Sequence, residues 1–218
     1  MAKSEKIQLV IGDKNLSSWS MRPWLVLKQS GLAFEEIKIL LDRPETKKRI
    51  RAHSPSGKVP CLVHGDLKIW ESLAIAEYVA ELAPGKKLWP ESPEERALAR
   101  SYAAEMHAGF SCLRSQLSMD LQLRTKAHHL NPGTISDIER ILELWTQALE
   151  ASKGPFLFGT FGIVDAFFAP VVCRFVSYGI EIQNKKALGY VDNILKHSSM
   201  KVWLAEAKKE KPLVIPFI

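Results

Sequence analysis

The chain has 218 residues, 46% of them hydrophobic and 25% charged, which allows one large or two small globular domains with a sizeable core. Its net charge of +6 is a mild excess, and the basic runs 47–49 and 208–209 are short and interspersed with acidic residues. Solvated helix faces explain such runs better than nucleic-acid binding, although a mild positive field still favours an anionic ligand.

The sequence also bears on where the protein is located and on whether it binds a metal. No stretch approaches the roughly 20 apolar residues of a membrane span, and the apolar run near the N-terminus is too short for a signal-peptide core. The three cysteines are widely spaced without a C-x-x-C pair, which excludes the usual zinc and dithiol motifs and suits a reducing compartment. His107 and the pair His128–His129 have no ligand-like partners. We therefore expect a cytoplasmic protein without a membrane span or a metal.

The first predicted elements are a strand and a helix. Ile7–Ile11 is an apolar run apart from Gln8, which is typical of a buried strand. Pro23 then indicates where a helix begins, because proline lacks an N–H and is tolerated best in the first turn. This places the N-cap near Ser20, a favourable capping residue, and leaves Ser17 and Ser18 in the loop before the helix.

A second strand, a short helix and a hairpin follow. Phe34–Leu40 has the partly alternating pattern of a strand, and the charged segment 42–51 predicts a short exposed helix. Val59–Val63 opens a further strand, the turn His64–Asp66 contains a glycine that tolerates a tight hairpin, and Leu67–Trp70 is the return strand.

Two dipeptides in this stretch, Val59-Pro60 and Glu71-Ser72, have features that suit ligand binding. Pro60 stands at the mouth of a strand, where a cis Val59–Pro60 bond would turn the Val59 backbone outward to pair with an extended peptide. Glu71 and Ser72 begin a helix, whose free N–H groups suit a carboxylate while Glu71 accepts from an ammonium group. The alternative is that Ser72 only caps its helix and Glu71 only favours its dipole.

The remainder of the chain predicts helices alone. Prolines and a glycine break the periodicity over 84–93, which predicts a linker between two domains. Residues 128–133 read as a loop, and the apolar tail 211–218 is expected to fold back on the body. The predicted helices are Glu94–Met119, Ser136–Ser152, Gly162–Ser177, Ala187–Leu195 and Met200–Lys209.

The helix from Gly162 is apolar on nearly every side and should be buried. Asp165 stands at the capping-box position, from which its carboxylate reaches the Gly162 N–H. Gly162 has no side chain, so only half of the box can form. We assign Gly162 and Asp165 a structural role, because a buried carboxylate needs partners.

Taken together, these motifs resemble the glutathione transferases over nearly the whole chain. The Val59-Pro60 strand opening, the hairpin and the Glu71-Ser72-x-Ala-Ile helix start resemble their thioredoxin-like half, and FLFGTFGIVDAFFAPVV is similar to phrases in the helical half of the bacterial members. The motif Ser-Ser-Trp-Ser-x-Arg is most similar to Ser-Ser-Cys-Ser-x-x-Arg of the zeta class. It differs in Trp19, which replaces the cysteine, and in Arg22, which is one position nearer.

The resemblance implies a fold and a domain organisation. The expected fold is an α/β thioredoxin-like N-terminal domain with the order βαβ-α-ββα, followed by an all-α helical domain. The N-terminal domain would span 1–83, the linker 84–93, and the helical domain, which contributes the electrophile site, 94–218. A homodimer is also expected from the resemblance.

The resemblance further implies how glutathione is held, as co-substrate and without a metal. In the family the Val-Pro bond is cis, which assigns Val59 and Pro60 to the cysteinyl backbone of glutathione, and Glu71 and Ser72 to its γ-glutamyl end. Ser17 is expected to donate a hydrogen bond to the sulfur, with Ser18 as the alternative.

Other roles stay open. Lys58 or His53 could pair with the glycine carboxylate of glutathione, or either could be a plain surface residue. Trp19, Met106 and Phe110 are candidates for the electrophile site, with core packing as the alternative. Arg22 would either face the ligand or, as we expect, pin its loop to a carboxylate.

The expected activity is that of a glutathione S-transferase acting in detoxification: the thiolate attacks a small hydrophobic electrophile or supports a zeta-type isomerisation. One alternative is a glutathione-dependent reductase or dehalogenase, against which the absence of a cysteine at Ser17 counts. Another is a binding protein that kept the fold and lost the chemistry.

Overall fold

The computed structural model describes residues 5–152 and 154–211. Apart from Lys211, the apolar tail predicted over 211–218 lies outside these residues. No helix within the described ranges has an apolar stretch long enough to span a bilayer.

A mixed four-stranded sheet forms the first layer. Its strands are β1 (Ile7–Ile11), β2 (Glu35–Lys38), β3 (Cys61–His64) and β4 (Leu67–Trp70), in the order β2-β1-β3-β4. β1 pairs parallel with β2 and antiparallel with β3, and β3 pairs antiparallel with β4. The central β1 is covered on both faces, which explains why its sequence is apolar apart from Gln8.

Three helices cover this sheet: α1 (Ser18–Ser30), α2 (Thr46–His53) and α3 (Ser72–Leu82). α1 and α3 bury Leu9 and Leu62 from one face, while Ile50 of α2 packs against Val10 and Cys61 on the other. The predicted βαβ-α-ββα order and the thioredoxin-like fold are confirmed.

The start of α1 differs from the prediction. The N-cap is Ser17, whose Oγ accepts from the N–H of Ser20 at 3.3 Å, so the helix begins one turn earlier than a cap at Ser20 would allow. Pro23 therefore lies inside the helix. The prediction placed the helix start by the missing N–H of Pro23. The hydrogen bond that the capping side chain of Ser17 accepts sets the start instead. As a result, Ser18 is the first helical residue rather than part of the loop.

The second half is helical, as predicted. Its described residues contain α4 (Pro93–Ala108), α5 (Ser111–Gln116), α6 (Pro132–Ser152), α7 (Ile163–Ser177), α8 (Lys185–Lys196) and α9 (Ser198–Ala207). α7 is the central element: every residue in it except Val176 is buried. It packs on α1 of the first half and on α4 and α8 of the second.

Two helix boundaries in this half were predicted wrongly. The single helix over Glu94–Met119 is broken, because Phe110 adopts φ 57° and Gly109 approaches the Glu105 carbonyl so closely that a Cβ would lie 2.7 Å from its oxygen. α6 begins at Pro132, inside the predicted loop 128–133. Proline suits the first helical position, and Asn131 just before it accepts from the N–H of Thr134 at 2.7 Å.

Candidate functional site

A cavity of about 170 Å³ lies where α1 begins, where β3 is entered and where α3 begins. Three predicted features meet in it: the Val-Pro strand opening, the Glu-Ser helix start and the serine motif. Its lining residues are Trp19, Ser56, Lys58, Val59, Pro60 and Glu71. The sequence reasoning missed Ser56, which lies in the loop after α2 and carries no motif.

The entrance to β3 offers free backbone groups. The Val59–Pro60 bond is cis, and the ladder with β1 and β4 begins only at Cys61. Among the described residues, neither the N–H nor the carbonyl of Val59 has a hydrogen-bond partner. Backbone groups that are unpaired within the protein bond to water or to a ligand, and this residue is only half-buried, so an extended peptide could reach it.

The start of α3 combines an exposed carboxylate with free N–H groups. Glu71 is the N-cap residue and adopts φ 72°, which costs a non-glycine residue about 1–3 kcal/mol and is typical of functional sites. Its side chain makes no capping hydrogen bond and faces the cavity. The first-turn N–H groups from the buried Ser72 onward are free for a carboxylate ligand.

The two serines lie side by side at the start of α1. The Ser17 hydroxyl donates to the Ser20 Oγ at 2.8 Å while it caps the helix. The Ser18 Oγ accepts from the Arg174 guanidinium at 3.3 Å, which leaves its own proton free. Each residue is 6% exposed, and neither is among the residues that line the cavity, although Trp19, which directly follows Ser18 in the chain, does line it.

A cluster of arginines surrounds this helix start. Arg22 is fully buried, and within the described part of the chain its three guanidinium nitrogens have no hydrogen-bond partner. The expectation that it pins the loop to a carboxylate is therefore wrong; its guanidinium lies 4.2 Å from the Trp19 ring instead. Burial, and then Arg174 and Arg114, lower the pKa of Arg22 to about 9. The cluster gives the helix start a positive potential that favours an anion.

The structure adds His107, which the sequence analysis left without a role. Its Nε2 lies 3.3 Å from the Glu71 carboxylate, its Nδ1 lies 3.5 Å from the Ser72 Oγ, and its ring contacts Trp19 edge-on. Burial and the charge of Arg22 lower the pKa of the ring, and Glu71 opposes them. His107 lies in the last turn of α4, in the other half of the chain, so no local motif could have identified it.

Several predicted residues do not line the cavity, among them Ser17, Ser18 and Ser72. His53 ends α2, where its carbonyl accepts from the Cys61 thiol. Met106 is fully buried and Phe110 nearly so, and both belong to the core. The described residues contain no group of three His, Cys, Asp or Glu side chains placed to hold a metal.

Gly162 and Asp165 lie at the start of α7. The Asp165 carboxylate accepts from the N–H groups of Gly162 at 2.9 Å and Leu157 at 3.1 Å. Since Gly162 has no side chain, only half of the capping box forms. Burial raises the pKa of Asp165 to about 6, against the effect of these hydrogen bonds.

Comparisons with known proteins agree with this geometry. Residues 16–82, which contain the serines, Val59–Pro60 and Glu71–Ser72, match the family described as "Glutathione S-transferase, N-terminal domain". The chain is 29% identical over 195 residues to "Glutathione S-transferase 1" of Dianthus caryophyllus, covering 84% of each chain. It is 32% identical over 110 residues to a "Probable maleylacetoacetate isomerase" of Caenorhabditis elegans, covering 50% of each.

A solved structure extends the similarity over the whole fold. A glutathione transferase homologue from Burkholderia GL BGR1, solved with bound glutathione, has a TM-score of 0.73 and 25% identity to this chain. The similarity covers 95% of this chain and 100% of that one. Both halves of the molecule therefore share one architecture with it.

Proposed function

Since the chain belongs to the glutathione transferase family, whose N-terminal domain residues 16–82 match, we propose that it binds glutathione in the cavity between α1, β3 and α3 and activates its thiol. The cavity itself carries the proposal. It brings together a cation in Lys58, an anion in Glu71 and unpaired backbone groups in Val59. Glutathione has complementary groups: two carboxylates, an ammonium group and an extended backbone.

The ligand would lie with its γ-glutamyl end at α3. Glu71 accepts from the ammonium group, and the N–H groups from Ser72 onward bind the α-carboxylate. The cysteinyl backbone pairs with the Val59 N–H and carbonyl, and the glycine carboxylate lies near Lys58. Lys58 is preferred over His53 because it lines the cavity.

The sulfur then points to the start of α1, where three features favour the thiolate. An ordinary thiol has a pKa of about 8.5, so it is mostly protonated at neutral pH. The helix dipole, the buried charges of Arg22 and Arg174, and a serine hydroxyl all stabilise the anion. Ser17, the N-cap, is proposed as donor; it would exchange its bond to Ser20 for one to the sulfur.

The thiolate attacks an electrophilic carbon, forms a carbon–sulfur bond and displaces the leaving group with its electron pair. Trp19 is the proposed wall of the electrophile site, because it lines the cavity, follows Ser18 in the chain and contacts the ring of His107. The homodimer, the cytoplasmic location and a role in detoxification stay predictions.

The experiment compares Ser17→Ala with Ser18→Ala. We expect the unaltered protein to bind glutathione and to conjugate 1-chloro-2,4-dinitrobenzene. Ser17→Ala should lower kcat/KM by roughly a hundredfold, the range reported for a single donor to a developing anion, and raise the pKa of the bound thiol. Ser18→Ala is the matched control, with a smaller loss.

Each outcome has a definite meaning. If Ser18→Ala abolished turnover while Ser17→Ala did not, the donor would be Ser18, whose free proton and contact with Arg174 already fit that role. If the unaltered protein failed to bind glutathione, a non-catalytic scaffold would replace the proposed function.

A second candidate function is glutathione-dependent isomerisation. The serine motif resembles the zeta class, and relatives in Caenorhabditis elegans and Rattus norvegicus bear the name maleylacetoacetate isomerase. Here the thiolate would add to a double bond, the adduct would rotate, and glutathione would leave unchanged. Turnover of maleylacetoacetate without consumption of glutathione would distinguish this activity from conjugation.

Thiol reduction by Cys61 or Cys173 is disfavoured, and the third cysteine, Cys112, is half-buried and does not line the cavity. Cys61 and Cys173 are buried, and burial raises the pKa of Cys61 above its ordinary value and that of Cys173 to about 12. Both thiols therefore stay protonated at neutral pH, whereas the thiolate is the reactive form.

A further inference from the structure

The loop that presents the serines, Asp13–Ser17, is held by the far end of the chain. We call it the serine loop. It has little internal structure: the N–H of Ser17 bonds to the Asp13 carbonyl at 2.8 Å, within the loop. Most of its remaining polar groups bond to residues from the second half of the chain, so its shape depends on distant residues.

Glu210 makes the most specific of these contacts. One carboxylate oxygen accepts from the backbone N–H of Lys14 at 3.0 Å and the other from that of Asn15 at 2.9 Å. The side chain is 8% exposed and pairs also with Lys38 on β2 at 3.0 Å. Such a carboxylate fixes two successive peptide units at once, because charge-assisted bonds to both are short and directional.

Lys14 anchors the same loop through its side chain. It is 2% exposed, and its ammonium group bonds to Glu36 at 2.6 Å and to Glu206 of α9. It also lies over the rings of Trp24 and Trp203, while the Trp203 indole N–H donates to the Lys14 carbonyl at 3.0 Å. Backbone and side chain of one loop residue are thus both bound to the α9 end of the chain.

Asn15 adds a third attachment. Its side-chain amide donates to Asp120 at 2.9 Å, its carbonyl accepts from the N–H of Leu121, and its Oδ1 accepts from the N–H of Gln122. The loop is therefore fixed between the segment after α5 and the end of α9, two residues before Ser17 caps α1.

From this network we propose that Glu210 is a positioning residue for thiolate formation. Rather than contacting glutathione, it sets where Ser17 and the first turn of α1 lie relative to the sulfur. The inference rests on the proposed function and deepens it, because it makes the chemistry of the N-terminal half depend on a carboxylate near the other end of the chain. A small displacement of a catalytic group is enough to slow a reaction by roughly a hundredfold.

If Glu210 positions Ser17, its loss should affect thiolate formation and tripeptide binding differently. Val59 and Glu71, which would hold the tripeptide, precede β3 and α3, and among the described residues Glu210 has no hydrogen bond to either element. The proposed sulfur site, in contrast, lies at the start of α1. Loss of Glu210 should therefore impair ionisation and turnover and spare the binding of the tripeptide backbone.

The test uses Glu210→Ala and the isosteric Glu210→Gln in the full chain. Glutathione and S-methylglutathione, whose sulfur cannot ionise, serve as ligands for calorimetry. The ultraviolet absorbance of the bound thiolate is titrated against pH, and kcat is measured with 1-chloro-2,4-dinitrobenzene. Glu181→Gln is the control, because this exposed carboxylate only approaches Lys126.

We expect Glu210→Ala to move the midpoint of the thiolate titration roughly one pH unit higher and to lower kcat about tenfold. Its affinity for S-methylglutathione should stay within about twofold of the unaltered protein. Glu210→Gln should show the same pattern more weakly, which keeps the test valid if the alanine variant is poorly folded.

The inference would be overturned if Glu210→Ala and Glu210→Gln lowered the melting temperature but left the thiolate midpoint and kcat unchanged, since Glu210 would then be structural only. Equal loss of affinity for both ligands would also overturn it. Failure of the unaltered protein to bind either ligand would instead remove the proposed function, and this inference with it.

Discussion

Glu71 has two neighbours that compete for its charge. Its carboxylate lies 3.3 Å from His107 and is also the proposed acceptor for the ammonium group of glutathione. Burial and the charge of Arg22, with a smaller contribution from Arg114, hold the pKa of His107 below its usual 6.5. The ring is therefore uncharged at neutral pH and forms no ion pair with Glu71. The carboxylate of Glu71 is then available to the ammonium group of the ligand.

Acidification should reverse this balance. As the pH falls from 7 through the lowered pKa of His107, the ring becomes charged and pairs with Glu71. We therefore expect the affinity for glutathione to fall about fivefold across that transition, in line with about 1 kcal/mol for a partly exposed ion pair. Calorimetric titration at several pH values checks this. His107→Gln should bind with nearly constant affinity over the same range.

A parallel loss of affinity in His107→Gln would show that another group titrates. His128→Gln is the matched control, because this histidine lies outside the cavity and should keep the acid-induced loss.

Residues close together in the sequence were predictable, and residues brought together by packing were not. Val59, Pro60 and Glu71 stand in one hairpin-and-helix segment and meet in one cavity. His107 and Arg174 reach the same region from α4 and α7, and their approach depends on how the helices pack. No spacing in the sequence carries that information.

At the scale of the elements, α7 begins with a buried acid. Ionised Asp165 keeps its two backbone hydrogen bonds but loses hydration, and the balance raises its pKa from 3.8 to about 6. Because the folded-state pKa is the higher one, the stability that this group contributes is complete below about pH 3.8. It is lost as the pH rises through about 6.

Asp165→Asn should remove this pH dependence. Between pH 7 and pH 5 the unaltered protein should gain about 1 kcal/mol of unfolding free energy from Asp165, and the variant should not. Urea unfolding at both pH values measures the difference. Asp192→Asn, at an exposed pair with Lys196, is the control and should follow the unaltered protein. Identical pH profiles for Asp165→Asn and the unaltered protein would contradict the prediction.

The periodicity of apolar residues predicted correctly which segments are strands and which are helices. The errors concern the residues at which helices begin and end. The apolar pattern identified the strands of the sheet and the buried helix α7. It could not reveal that Gly109 approaches the Glu105 carbonyl and ends α4, because that contact exists only in the folded backbone. Asn131 and Pro132, in contrast, have the residue types of a helix start, although they lie in the segment predicted as a loop.

At the scale of the whole molecule, one hydrophobic core joins both halves. α1 packs on α3 of its own half and on α7 and α9 of the other. Trp24 of α1 is fully buried and lies 5.1 Å from the ring of Trp203. Leu88 and Trp89, within the segment predicted as a linker, belong to the same core.

Heating should therefore unfold both halves together. We expect calorimetry to give one transition whose calorimetric and van't Hoff enthalpies agree. Trp24→Ala should cost about 3–5 kcal/mol and move that transition roughly 10 °C lower without dividing it. Trp70→Ala, at a residue 45% exposed, is the control and should change little. Two resolved transitions in either protein would mean that the halves unfold separately.

The backbone of Val59, which has no hydrogen-bond partner within the described part of the chain, has a consequence for turnover. A site that recognises main chain and termini makes no distinction between the free tripeptide and the same tripeptide carrying a substituent on sulfur. Under the proposed function the finished conjugate keeps every contact to Val59, Glu71 and Lys58 that held the reactant. Product should accordingly compete with fresh glutathione, and its departure should limit the rate whenever the attached group is large and apolar.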